Sequence, residues 1–220
     1  MDSVSIIIPA YNEAERIGTT LRSLVQSGSW FDELIVVDDG SGDGTSSIAK
    51  QWTDQVVRLE ENRGKGYALT LGSSIAKGDL LLFLDADLEK TAALAKRLLP
   101  PIAENRVEMT VAILPPTRKS GFGLVKRLAR WGIYRKTGVL LQAPLSGQRA
   151  IRKDVFQASS PAEQGFGFEV DLTVKLLKRG YQIEELEIPF SHRETGKDVA
   201  GFIHRFRQGV AVSQALFSRR

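Results

Sequence analysis

Two carboxylates, Asp85 and Asp87, close the run LLLFLDADLEK over residues 80–90. The apolar residues before them have the continuous hydrophobic character of a strand buried on both faces. An Asp-x-Asp at the end of an extended segment brings two carboxylates near one point. One can ligate a cation directly while the other reaches a substrate hydroxyl or a metal-bound water. Mg2+ and Mn2+ take oxygen ligands and keep waters and substrate phosphates in their shells. The pair therefore suits a diphosphate whose charge must be neutralised as a bond to it breaks. A solvated acidic turn has the same letters, so the motif has to be read with its company.

That company is polar and sits after other apolar runs. Tyr11-Asn12-Glu13 follow VSIIIP, and Asp38-Asp39 follow LIVV. Amides and carboxylates of this kind can hydrogen-bond a nucleobase and a ribose. RGKG at 63–66 offers Lys65 and flexible backbone N–H groups beside a helix start, which suits phosphate. It is neither a Walker A loop nor a GxGxxG fingerprint, which disfavours ordinary ATPase and NAD(P) chemistry. A nucleotidyltransferase would want the same carboxylates and cation, but it usually carries a glycine-rich loop directly after its first strand, where PAYNEAER stands here. A non-catalytic nucleotide-sugar sensor is the further alternative.

These groups need elements to hold them. VSIIIP (4–9) reads as a buried strand. In the segment after it, Ile17, Leu21, Leu24 and Val25 share one helical face, with Asn12 as the expected N-cap and Gly28 as the stop. Strands are expected at 34–37, at 55–60 and over DLLLFLDAD, with helices near 44–52 and after the RGKG loop. Alternating strands and helices predict a parallel sheet covered on both faces, with ligands beyond the carboxyl ends of the strands. The second half predicts a strand at 108–116, a basic amphipathic helix over GFGLVKRLARWGIYRKTGVLLQ and a strand running into a helix over PLSGQRAIRKDVF. It continues with a helix over FEVDLTVKLLKRG, a strand over YQIEELEIPF and a final helix at 198–217.

At 220 residues, with 42% hydrophobic and 25% charged residues, the chain has the makings of one domain with a full core. Cysteine is absent, so disulfide and thiolate chemistry are excluded, which fits a reducing compartment. MDSVSIIIPAYNE lacks the basic start and apolar core of a signal peptide. No apolar run approaches the ~20 residues of a membrane span. The expectation is a cytoplasmic protein, soluble or peripheral at the inner face of the membrane. Residues 1–100 hold 10 Lys/Arg against 15 Asp/Glu, whereas residues 101–220 hold 20 against 11. The first half thus suits a metal–nucleotide module and the second an anionic partner, although solvated surface charge gives the same count.

VSIIIPAYNEAERI, ELIVVDDGSGDGT, NRGKGYALTLGSSIAKGD and LLFLDADL, in that order over about 90 residues, resemble the nucleotide-binding half of GT-A-fold nucleotide-sugar glycosyltransferases. The resemblance is to the large group containing dolichol-phosphate mannose synthase, and secondarily to glucosyl-3-phosphoglycerate synthases. It implies an α/β GT-A (Rossmann-like) three-layer sandwich with a mostly parallel central sheet. Residues 1–100 would form the nucleotide-sugar half and 101–220 the acceptor half of one domain. Pro9, Ala10, Tyr11, Asn12, Glu13, Asp38, Asp39, Ser41, Lys65, Asp85, Ala86 and Asp87 would bind the UDP- or GDP-sugar. Mg2+ or Mn2+ would sit at Asp87, with His192 of FSHRETGK or Glu89 assisting. Glu89 stands where polyprenyl-phosphate mannosyltransferases commonly carry Gln, a departure from that pattern.

The same resemblance makes PLSGQRAIRKDVF the segment flanking the acceptor. Arg118, Ser146, Gly147, Gln148, Arg149 and Arg193 are thereby acceptor-binding candidates. In GFGFEVDL, Glu169 and Asp171 join Asp85 and Asp87 as catalytic candidates. One could be a general base for a hydroxyl acceptor, or both could be first-turn helix residues favoured by the dipole. The acceptor is expected to be phosphorylated, either polyprenyl phosphate or a small molecule such as 3-phosphoglycerate. Seven Lys/Arg and no Asp/Glu lie between 118 and 136. With Leu124, Val125, Leu128 and Trp131 as an apolar stripe, that helix suits an anionic membrane surface or an ordinary packed position. The C-terminal segment could add to membrane contact or to a homodimer interface. A nucleic-acid partner is not expected.

Overall fold

The structure, a computed structural model, describes residues 2–115, 123–159 and 167–191. The elements run β1 (Val4–Ala10), α1 (Ile17–Gln26), β2 (Glu33–Asp38), α2 (Thr45–Ala49), β3 (Val56–Arg58), α3 (Lys65–Ile75) and β4 (Leu80–Phe83). A 3-10 helix (Glu89–Leu98) and α4 (Pro100–Ala103) lead to β5 (Met109–Ile113), α5 (Gly123–Thr137), β6 (Arg149–Arg152), α6 (Lys153–Ser159), α7 (Phe168–Lys178) and β7 (Ile183–Glu187). Seven strands form one sheet in the order β3-β2-β1-β4-β6-β5-β7. β1 pairs parallel with β2 and β4, and β2 with β3; among the described residues β6 alone runs antiparallel, against both β4 and β5. The carboxyl ends of β1, β2 and β4 thus share one rim, and the amino end of β6 opens onto it.

Strand alternation sorts the apolar residues into two layers. Ile6, Ile8, Leu34, Val36, Leu80 and Leu82 pack with α1 and the 3-10 helix on one face. Ile7, Ile35, Val37, Leu81, Phe83 and Ile151 pack with α3, α6 and α7 on the other. Burying each large aliphatic side chain contributes about 1.5–3 kcal/mol, which is why the run IIIP becomes a central strand. α3 lies unusually close to the sheet: a Cβ on Gly72 would stand 2.5 Å from Ile7 Cγ2, so only glycine fits there. Edge-to-face rings add to the second layer, with Phe83 5.4 Å from Phe156 and 6.4 Å from Phe168.

Several expectations are corrected. α1 starts at Ile17, not beside Asn12. Asn12 instead has φ 54°, a left-handed conformation that asparagine tolerates, and its Oδ1 accepts the Gly42 N–H at 2.9 Å. β4 ends at Phe83, so Asp85 and Asp87 occupy the loop beyond it. The 3-10 helix and α4 fill a segment for which the sequence reading placed no element. The apolar stripe of α5 also divides. Val125 and Leu128 turn inward onto Ala129, Ile133, Val170 and Val174, while Leu124 and Trp131 stay exposed. The final helix at 198–217 lies outside the described residues.

Candidate active site

Most of the candidate residues gather where β4 leaves the sheet. Lys65, the first residue of α3, places Nζ 2.5 Å from Asp85 Oδ1 and 3.4 Å from Glu169 Oε1. Gln148 Nε2 donates to the other Asp85 oxygen at 2.6 Å. Its own Oε1 accepts from Ser146 Oγ at 3.1 Å. Gly147 lies against this group: a Cβ there would stand 2.9 Å from both Asp85 oxygens and would collide with Lys65 Nζ. Burial alone would lower the Lys65 pKa, but the charges of Asp85 and Glu169 outweigh it and raise it above the ordinary lysine range. The ammonium therefore stays charged at any physiological pH.

Each member arrives by a separate route. Phe83 fixes β4 in the core two residues before Asp85. Phe168, 1% exposed and packed edge-on against Phe83, carries Glu169 next to it at the start of α7. The antiparallel β6 delivers Gly147 and Gln148 to the rim from its amino end. The loop holding Asp87 is fastened by Thr20 of α1, whose hydroxyl donates to the Ala86 carbonyl at 2.7 Å and accepts the Glu89 N–H at 2.8 Å. Thr20 was missed from the sequence. Its signal was a hydroxyl among Ile17, Leu21 and Leu24 on the buried face of α1.

The neighbouring tips are also ordered. Asp38, 1% exposed, accepts the Ser41 N–H at 2.9 Å and the Ser46 hydroxyl. Asp39 accepts the N–H groups of Arg63 and Gly64, each at 2.8 Å, and so ties β2 to the loop that launches Lys65. Ser41 Oγ accepts the Asn12 N–H at 2.9 Å, and Thr45 Oγ1 the Glu13 N–H at 2.9 Å. Pro9 and Ala10 end β1 beside these turns, with Ala10 buried and Tyr11 half exposed.

Not every candidate joins the cluster. Asp171 pairs with Lys175 at 2.8 Å along α7. Burial, then the like charge of Lys178, lowers the pKa of nearby Lys136, with Asp171 opposing. Glu89 stands 3.7 Å from Arg16 Nε and is half exposed. Arg149 is corrected outright: its side chain is 1% exposed and hydrogen-bonds to carbonyls and a hydroxyl of the protein itself, so no acceptor can reach it. Arg118, His192 and Arg193 lie outside the described residues. Ser191, the residue before His192, donates its N–H to Thr91 Oγ1 at 3.0 Å in the helix that follows Asp87.

Among the described residues no three His, Asp or Glu side chains converge as a ready metal cage. The donor set fits instead a hard cation held by one or two carboxylates together with waters and a diphosphate. Likewise, among the described residues no helix is long and apolar enough to cross a membrane.

Solved structures of similar fold define the class. Glucosyl-3-phosphoglycerate synthase from Mycobacterium tuberculosis, in complex with phosphoglyceric acid, superposes with a TM-score of 0.83 at 26% identity, covering 99% of this chain and 79% of that one. The same enzyme with Mn2+, UDP-glucose and phosphoglyceric acid gives 0.82 at equal identity and coverage. The fold is thus the GT-A fold of nucleotide-sugar glycosyltransferases. The chain belongs to glycosyl transferase family 2, whose model matches residues 5–158. Relatives at 28% identity include glycosyltransferase AglJ of Haloferax volcanii, matched over 99% of this chain and 72% of the relative. Another is the undecaprenyl-phosphate 4-deoxy-4-formamido-L-arabinose transferase of Edwardsiella ictaluri, matched over 91% and 63%.

Proposed function

We propose that this glycosyltransferase moves a hexosyl group from a UDP- or GDP-sugar, with Mg2+ or Mn2+, to a phosphorylated acceptor, polyprenyl phosphate at a membrane surface. The observation that carries the donor reading is the Lys65–Asp85–Gln148–Glu169 cluster on the carboxyl rim, with Asp87 two residues beyond. Asp87 would hold the cation. His192 or Glu89 would assist it. The cation would supply charge neutralisation of the leaving diphosphate. Asp85, held by Lys65 and Gln148, is oriented to accept from a sugar hydroxyl. Lys65 would add positive charge beside the bond that breaks. The Asn12–Ser41 and Glu13–Thr45 turns, with Asp38 and Asp39, would shape the nucleoside pocket.

A phosphate acceptor is already ionised and needs no strong base, which leaves Glu169 to orient Lys65 rather than remove a proton. The acceptor choice is supported by the outer face of α5. Leu124 is 78% exposed, Trp131 50% and Tyr134 53%, and Val139 and Leu140 follow them. Lys126, Arg127, Arg130 and Arg135 are interleaved with these residues. Exposed aromatic and aliphatic groups among cations suit an anionic bilayer interface. The bound phosphoglyceric acid of the structural neighbour favours the second reading, a small phosphorylated acceptor.

A thermal-shift panel of nucleotide-sugars with and without Mn2+ tests the donor and the metal, since a ligand that binds only the folded state raises the melting temperature. A Mn2+-dependent shift for one sugar-nucleotide is expected; no shift with any of them refutes the reading. Product formation with polyprenyl phosphate in anionic vesicles, against 3-phosphoglycerate in solution, then decides the acceptor.

A further inference from the structure

Arg149 is the bulkiest of the fully buried side chains among the described residues. Nε donates to the Ser146 carbonyl at 2.7 Å, and one terminal nitrogen to the Pro144 carbonyl at 2.8 Å. The other terminal nitrogen donates to Thr173 Oγ1 at 2.8 Å and to the Glu169 carbonyl at 3.2 Å. Thr173 Oγ1 in turn donates to that same Glu169 carbonyl at 2.7 Å. All the acceptors are neutral. Burial lowers the guanidinium pKa to about 10, the charges of Glu169 and Glu185 opposing, so the group stays cationic at neutral pH.

A buried cation whose partners are neutral is expensive, and an apolar residue of similar shape is commonly as stable in such a place. A role besides net stability is therefore worth testing for this guanidinium. Its acceptors belong to two different segments. Pro144 and Ser146 form the turn that presents Gly147 and Gln148. Glu169 and Thr173 are the first two turns of α7. Both segments end on the Lys65–Asp85 pair, one through Gln148 at 2.6 Å and the other through Glu169 at 3.4 Å. A planar fork with donors in fixed directions can register two backbones against each other, which a flexible ammonium cannot do.

We propose that Arg149 is a positioning residue: it locks the Pro144–Gln148 turn to the start of α7, and so sets where Gln148 and Glu169 meet Lys65 and Asp85. The bearing of this lock on turnover rests on the reading that these four residues face the donor sugar. The lock itself is a statement about geometry and can be read without turnover.

The test uses Arg149→Met, which fills the space without donors, Arg149→Lys, which keeps the charge without the fork, and Thr173→Val, which removes one acceptor and leaves Arg149 in place. The geometric readout is the acylation rate of Lys65 by a limiting amount of acetic anhydride, measured by peptide mass spectrometry with Lys50 as internal standard. Loosening the lock is expected to raise that rate about 3- to 10-fold in both Arg149 variants, and less in Thr173→Val, because the ammonium loses its fixed partners. The kinetic readout is a kcat lowered about 10- to 100-fold, the scale of an ångström-level misplacement, with an unchanged Mn2+-dependent thermal shift by the nucleotide. The nucleoside-side turns at β1 and β2 do not touch Arg149.

Unchanged Lys65 acylation in folded Arg149 variants overturns the lock. So does Arg149→Lys with wild-type kcat. Loss of activity in strict proportion to the folded fraction, with nucleotide binding lost alongside, reduces Arg149 to a plain stability residue and also overturns it. Raised acylation in a chain whose wild type transfers no sugar leaves the lock standing and refutes the donor reading instead.

Discussion

Replacing Gly147 with alanine tests the site through a single methyl group. Gly147 has no left-handed backbone to explain it; the constraint is space. The new Cβ would stand 2.9 Å from Asp85 Oδ1 and Oδ2 and closer still to Lys65 Nζ. Ordinary contacts between carbon and such atoms begin about half an ångström farther out. Lys65 is the far end of a flexible side chain, about one-third exposed, so it yields first. The 2.5 Å pair with Asp85 then opens. The stability lost is small, because a part-exposed ion pair is worth about 1 kcal/mol after solvent screening. For a chain of this size that is about 2–4 °C in Tm. The activity lost is large, about 100-fold in kcat, because the displaced groups would lie against the donor sugar. Differential scanning fluorimetry and initial rates of UDP or GDP release measure the two together. A variant with near-wild-type kcat, or one that melts more than about 10 °C lower, refutes the account of the glycine.

Asp87→Asn is expected to abolish metal-dependent turnover while moving Tm by no more than about 2 °C; activity that survives in excess chelator would sink the metal role. Glu33, buried at the start of β2, is acted on first by desolvation, which raises its pKa. Hydrogen bonds from Ser5, from the N–H groups of Lys77 and Gly78, and from Gln55 outweigh that and lower it. A carboxylate with a depressed folded pKa stabilises above its unfolded value and loses that contribution as pH falls through the folded one. Glu33→Gln should therefore cost about 1–3 kcal/mol at pH 7, with the difference from wild type closing below about pH 4, as followed by Tm against pH. Neutralising Lys126, Arg127 and Arg130 should remove the protein from the pellet of anionic liposomes; an unchanged pellet would place the α5 face elsewhere than on a membrane.

The first half was legible because its strands are buried on both faces and read as plain apolar runs. VSIIIP and LIVV became β1 and β2 nearly as drawn, DLLLFLDAD kept only its LLLF as β4, and the polar groups after the three strands share one rim. Lys65 and Asp85 were named from the sequence and stand in contact. The second half hid more. Arg149 was an acceptor-binding candidate because PLSGQRAIRKDVF resembles the segment that flanks the acceptor in the family. The period-2 pattern of β6 held the correction: Arg149 lies on the face of Ile151, which packs in the second core layer, and opposite the face of Ala150. The α5 stripe failed for a related reason. Helical spacing groups residues, but only packing against α7 decides which group is covered. Asp171 and Glu169 are two positions apart and point to different partners, Lys175 and Lys65, because a helix turns about 100° per residue.

The one reversed strand has a consequence for how such a chain can change its substrate. Because β6 enters the sheet from the rim where β4 departs, the connection from β5 to β6 has both of its ends anchored at that rim. That interval can be lengthened, recharged or exchanged without re-registering β1, β2 or β4. On the proposed function, a new acceptor would then call for the exchange of one excursion, with Gly147 and Gln148 at its downstream junction still set against Asp85 and Lys65.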